Sequence, residues 1–263
     1  MSEAKVIAIT NQKGGVAKST TTVNLGVGLS KLGKKVLVID ADPQGSLSVS
    51  LGIRNPDELE ASLSTLMQSV IEDEPFDKES ILFHHEEGID LIPSNIELSG
   101  IEISLFNVMS RELILKNCIK HFKESYDYIL IDCMPSLGLM TINALAAADS
   151  IIIPSQPNFL STKGLNLLLR SIAKVKRQIN PALSIDGILL TMVNGRTNNA
   201  KNISASLRES VGGGIRGFDT EIQHSVRIPE SSIEGKSIFA YDRNCKAAMA
   251  YEAFSKEVVS IEK

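Results

Sequence analysis

The segment Asn11-Gln-Lys-Gly-Gly-Val-Ala-Lys-Ser-Thr20 (NQKGGVAKST) stands between an apolar run, VIAIT (6–10), and a segment with helical spacing, TTVNLGVGLSKLG (21–33). A glycine turn leading from a buried strand into a helix aims backbone N–H groups at one point, where the helix dipole adds positive potential. Such a loop suits phosphate. Gly14 and Gly15 let the main chain approach phosphate oxygens, with Val16 and Ala17 completing the turn. Lys18 is the candidate for the β- and γ-phosphates, and the Ser19 hydroxyl is a candidate ligand for Mg²⁺. Thr20 is placed to donate to an α-phosphate. The pattern G-x-x-x-x-G-K-[ST] is not fully met: Gln12 and Ala17 occupy its two glycine positions, and Lys13 is an additional cation.

Away from the loop, short apolar runs recur: VLVID (36–40), IDLIP (89–93), YILID (128–132), SIIIP (150–154) and DGILLTMV (186–193). Their continuous apolarity predicts strands buried on both faces of a parallel sheet. Helix-like segments separate them, at 111–125, 164–179, 200–211 and 244–262 besides 21–33. The alternation predicts a doubly wound, mostly parallel α/β sheet with helices on both faces. Residues 1–263 read as one domain, with 54–87 a polar surface excursion carrying short helices. A separate N-terminal DNA-binding domain before residue 5 is not expected. Asp40 and Asp132 each end a predicted strand, so both reach one sheet edge and become candidates to act on Mg²⁺ directly or through water. Asp42, two residues beyond its strand, is the candidate to orient an attacking water.

No apolar run approaches the ~18 residues of a membrane span, and the N-terminus lacks a signal-peptide layout, so a cytoplasmic protein is expected. Cys118, Cys133 and Cys245 are scattered without a C-x-x-C, which argues against a disulfide framework or zinc site. His84 and His85 lie in a Glu-rich stretch read as a surface loop. The formal net charge of −4 does not advertise nucleic acid, but its distribution is uneven. Residues 1–150 hold 12 Lys and Arg against 21 Asp and Glu, whereas residues 151–263 hold 15 against 10. One basic face is expected.

The ordered set of loop and carboxylates resembles the deviant Walker A ATPases, and specifically the ParA/Soj partition ATPases. NQKGGVAKSTTTVNLG, VIDADPQGSLS, YDYILIDCMPSLGLMTINALAAAD, LLTMVNGRTNNAK and SVRIPESSIEGKSIFAYDRNCKAAMAY carry the likeness nearly end to end. The resemblance makes Gln12 normal and Lys13 the family's signature lysine, which would reach a partner's bound phosphates in an ATP-dependent homodimer and act in catalysis with Lys18 and Asp42. It implies ATP and Mg²⁺ as cofactors. The chain departs from the family at Ala17, where glycine is usual; a negative φ is expected there, so that alanine costs little. Ser19 replaces Thr, and Cys133-Met134-Pro135 and Pro229-Glu-Ser-Ser232 also depart from pattern. Asn194 is suited to the adenine edge, and Pro229 is a second base-pocket candidate.

The resemblance further implies non-specific binding of double-stranded DNA by the ATP dimer, and release when a ParB-type centromere-binding protein stimulates hydrolysis. Arg196 and Arg227 match basic DNA positions in Soj-like relatives, with Lys201, Arg208, Arg243 and Lys246 as helpers. The ATP-loaded protein would then associate with the nucleoid. A MinD-like division-site ATPase would need a membrane-binding tail, which FSKEVVSIEK does not resemble. An iron–sulfur reductase would need a second cysteine beside Cys133. A DNA-tethering protein with little turnover is the remaining alternative, through Ala17.

Overall fold

The computed structural model describes residues 3–157, 163–194 and 215–261. Among these described residues eight strands form one sheet in the order β3-β4-β2-β5-β1-β6-β7-β8. They are β1 (Lys5–Ile9), β2 (Val36–Ala41), β3 (Phe83–His85), β4 (Ile89–Ile92), β5 (Tyr128–Cys133), β6 (Ser150–Ser155), β7 (Ser184–Val193) and β8 (Gly217–Gln223). All pairings are parallel except β3 with β4. The central strands are apolar on both faces because helices cover both: every residue of β2, β5 and β6 is buried.

Two apolar cores lie against this sheet. One contains Leu63, Leu66 and Met67 of α3 (Leu63–Ile71), Leu115 of α6 (Ile114–Lys120), Ala144 of α7 (Leu139–Ala147) and Leu168 of α8 (Lys163–Gln178). The other joins α1 (Lys18–Lys31) to Tyr251, Phe254 and Val258 of the last described helix, Lys246–Ser260. Helix α1 lacks a simple amphipathic stripe because Thr21 through Leu29 are all buried. Gly28 permits the second contact: a Cβ there would stand 2.1 Å from Ser255 Oγ.

Strand β1 sits between β5 and β6, so the chain winds to one side of it after β1 and crosses to the other after β5. Such a reversal opens a crevice beyond the strand's carboxyl end. The loop 10–17 occupies that crevice, and register places Asp40 opposite Asp132 beside it.

Several elements differ from the sequence expectation. The expected helix 111–125 is an α-helix only over Ile114–Lys120, after a single 3₁₀ turn at Arg111–Leu113. The 54–87 excursion is not wholly superficial, since α3 is inserted into the core through its apolar face. His84 and His85 form part of edge strand β3: His84 pairs with Asp90 at 2.6 Å, and His85 is buried against the Gly235 carbonyl at 3.2 Å. Strand β8 and helix α7 were not expected. The expected helix 200–211 lies outside the described residues.

Candidate functional site

The loop between β1 and α1 is tied to the sheet from both sides. Asn11 Nδ2 donates to the Pro154 carbonyl at 2.7 Å, and Asn11 Oδ1 accepts from Lys13 N at 3.0 Å. The Thr191 hydroxyl donates to the Val16 carbonyl at 3.0 Å. Between these anchors Gly15 (φ 69) and Ala17 (φ 66) are left-handed, which curls the backbone into an anion-binding concavity. No heavy atom lies within 4 Å of where a Cβ on Gly14 or Gly15 would stand. Helix α1 begins immediately afterwards, with its N-terminus at Lys18 and no acidic residue in its first turn.

Beneath the loop lie the charged groups. Lys18 is buried, with Nζ donating to the Lys13 carbonyl at 3.3 Å. Burial lowers its pKa, and Asp132 leads the carboxylates that oppose the shift. Asp132 is fully buried and raised well above the carboxylate range by that burial and by Asp40, while the Ser19 hydroxyl and Lys18 pull it back. Thr22 Oγ1 also reaches Asp132, at 3.5 Å. Burial pushes Asp40 up to about 6 against hydrogen bonds from Ser48 N and Ser48 Oγ, both 2.8 Å. Two buried carboxylates on adjacent strands, with one lysine between them and a phosphate loop, are short of positive charge. That deficit fits a divalent cation. Ser19, Asp132 and Asp40 cannot enclose one alone: among the described residues no group of three or more His, Cys, Asp or Glu is arranged to do so. A metal here would complete its shell from phosphate and water, as Mg²⁺ prefers.

Strand β2 runs one residue further than expected, so Asp42 follows it directly. Asp42 is half-buried, accepts from Gln44 N at 3.0 Å, and begins the tight turn closed by Gly45 N at 2.9 Å. Lys13 Nζ donates to Gln156 Oε1 at 3.2 Å within the chain.

Beside Ala17 and Thr20 a cavity of about 400 Å³ opens toward Met192, Ile222, Ile228 and Tyr251. Its largely apolar walls and position next to the loop suit a flat base. Pro229 lines it; Asn194, exposed just after β7, is not one of its lining residues. Met192 was missed in the sequence and is left-handed at φ 53, near a register shift between β7 and β8.

A family model described as an AAA domain matches residues 4–185. Over 256 residues the chain is 41% identical to the sporulation initiation inhibitor protein Soj of Bacillus subtilis, covering 97% of this chain and 98% of that one. It is 37% identical to the chromosome partitioning protein ParA of Caulobacter vibrioides, covering 98% and 95%. The chain belongs to the ParA/Soj family. A solved cobyrinic acid a,c-diamide synthase of Mycobacterium smegmatis, with bound ADP and magnesium, superposes with a TM-score of 0.84 at 32% identity, covering 97% of this chain and 94% of that one.

Within this ParA/Soj fold the expectation for Ala17 needs correction. Its φ of 66 is left-handed, so the glycine usual in the family is replaced by a residue whose Cβ opposes the conformation. The strain amounts to about 1–2 kcal/mol. Reverting it with Ala17→Gly also loosens the unfolded chain, which takes back roughly 0.4–1 kcal/mol. A net stabilisation of about 0.5–1 kcal/mol is expected in urea unfolding; destabilisation would show that the alanine is accommodated without strain.

Of the six DNA candidates, Arg196, Lys201 and Arg208 lie outside the described residues. Arg227 opens helix α9 (Arg227–Ile233) and is paired with Glu230 at 3.5 Å and Asp242 at 3.7 Å. Arg243 and Lys246 are exposed just beyond Asp242. These three cations share one neighbourhood, but it is interleaved with carboxylates rather than uniformly basic.

Proposed function

We propose that this ParA/Soj family member is an ATPase whose ATP-bound form pairs with a second copy, holds double-stranded DNA without regard to sequence, and lets go after hydrolysis stimulated by a ParB-type partner. The observation that carries this is the convergence of Lys18, Ser19, Asp132 and Asp40 beneath a left-handed loop, beside a base-sized cavity. Residues 1–263 act as one domain, in the cytoplasm and on the nucleoid when ATP is bound.

Magnesium, when bound, neutralises phosphate oxygens as charge shifts between them. Ser19 and Asp132 would hold it, with Asp40 behind them. Asp40 has both oxygens engaged, Oδ2 by Ser48 and Oδ1 by the Asp42 N–H at 3.2 Å, so its further task is to hold the Asp42 turn in place. Lys18 and the N–H groups of Gly14 through Thr20 hold phosphate, Pro229 flanks the base, and Asp42 orients the attacking water. Lys13 reaches the partner's phosphates, which makes pairing a condition for full catalysis. Lys18, Ser19, Asp40 and Asp132 all lie at the crevice made by the sheet's reversal around β1.

Two alternatives have less support. Phe254 and Val258 of the last described helix are fully buried in the core, so its apolar face is not offered to a bilayer, and among the described residues no helix is long and apolar enough to cross one. Burial pushes Cys118 and Cys133 up to about 12, which suits inert thiols rather than redox chemistry.

DNA retention tests the proposal. With ATP the wild-type chain should retard a duplex of arbitrary sequence at low salt, and ADP should abolish the shift. Arg227→Glu replaces an arginine with a like charge to phosphate, and should weaken DNA binding by at least about tenfold while ATP-dependent pairing persists. Unchanged retardation by Arg227→Glu would remove this face from the DNA interface.

A further inference from the structure

One side chain outside the expected set joins three parts of the site. Gln156 lies one residue beyond β6. Its Oε1 accepts from Lys13 Nζ at 3.2 Å, its Nε2 donates to the Gly15 carbonyl at 3.1 Å, and the same nitrogen stands 3.0 Å from Met192 Sδ. A planar amide offers donors and acceptor on fixed sides, so Gln156 reaches the loop on both sides of Gly14, where a Cβ would meet open space. It also touches the left-handed Met192 in the wall of the base-sized cavity. Lysine, phosphate loop and cavity wall therefore meet on one residue.

We propose that Gln156 is a positioning residue that keeps Lys13 on its own subunit until a second, triphosphate-loaded copy of this chain offers a better acceptor; this rests on the reading of Lys13 as a group that acts across the pair. The chemistry sets the order of events. A neutral amide oxygen offers an ammonium only a dipole, whereas an ionised phosphate oxygen offers a full opposite charge and is the stronger acceptor. Transfer of Lys13 is favourable when that oxygen is present and unfavourable when it is absent. The Nε2 bond to Gly15 is independent of Lys13, so the loop keeps its shape as the lysine leaves. Gln156 thereby opposes any pair in which Lys13 crosses, the ATP-loaded one included, by the strength of the bond that is given up.

Chemical labelling of Lys13 in the nucleotide-free chain, with a small amine-acylating reagent and mass-spectrometric readout normalised to the exposed Lys256, tests the hold directly. Gln156→Ala should raise labelling of Lys13 by about three- to tenfold, and Gln156→Glu, which offers an ionised acceptor, should return it to the wild-type level or below. A merely structural role would not be restored by Glu, which cannot donate to Gly15. In parallel, the protein concentration at which half the chains pair with ATP should fall several-fold in Gln156→Ala and rise in Gln156→Glu. Increased labelling with no ATP-dependent pairing in the wild type would support the hold and refute the action of Lys13 across a pair. Wild-type pairing with labelling unchanged in Gln156→Ala would overturn the role of Gln156 and leave the proposed function standing.

Discussion

Lys18→Ala is expected to lower nucleotide affinity by about 10²–10³-fold. Its ammonium lies in a pocket where it is 8% exposed, under the loop and facing Asp132. Deleting one member of a buried charge pair costs roughly 3–5 kcal/mol, most of it from the charge left behind. Here two carboxylates are left, both already pushed up by burial, Asp132 also by Asp40 and Asp40 by Asp42. An incoming triphosphate would then meet net negative charge where the wild type presents a cation. Titration with a fluorescent ATP analogue reads the loss, and a thermal melt separates it from unfolding. Affinity within about threefold of wild type, in a folded variant, would show that the backbone N–H groups hold phosphate without Lys18.

Asp42→Ala should have a large effect of another kind: turnover falls by about 10²–10³-fold while nucleotide affinity stays within about threefold. Asp42 caps the turn after β2 through one hydrogen bond to Gln44 N, a local contact whose loss costs about 1 kcal/mol. It is half-buried and acts on Lys18 less than Asp132 does, so its removal disturbs the charge balance there less than loss of Asp132 would. The consequence is a chain that loads ATP, pairs and remains on DNA. Steady-state phosphate release, compared with a nucleotide titration, separates the two constants. Hydrolysis at the wild-type rate would exclude Asp42 from positioning water.

The centre of this fold was legible because β1, β2, β5 and β6 are buried on both faces, and that burial demands uninterrupted apolar runs. Once those strands are parallel neighbours, the carboxylates at their ends are brought together by register alone, as Asp40 and Asp132 are. Strand β8 gave no such signal: as an edge strand it buries only Phe218 and Ile222, and its other residues read as polar loop. Helix α7 was obscured for the opposite reason. Its residues are almost all buried, so LMTINALAA carries no amphipathic period. The phosphate loop was readable from Lys18 and the glycines, but the conformation of Ala17 was not, because alanine carries no mark of a positive φ. Met192 and Gln156 were invisible for a related reason. One depends on a local kink at the end of a strand that reads as straight, the other on a contact between residues 143 positions apart.

Coupling of ATP to pairing through Lys13 is the central claim, and the most direct measurement is the mass in solution of two chains loaded with ATP and magnesium. One is Asp42→Ala, in which hydrolysis is expected to be too slow to intervene; the other adds Lys13→Ala. Light scattering on a sizing column should give twice the chain mass of 28.5 kDa for the first and the single-chain mass for the second, with nucleotide bound to both. A paired Lys13→Ala, Asp42→Ala protein, or an unpaired Asp42→Ala protein with ATP bound, would contradict the claim.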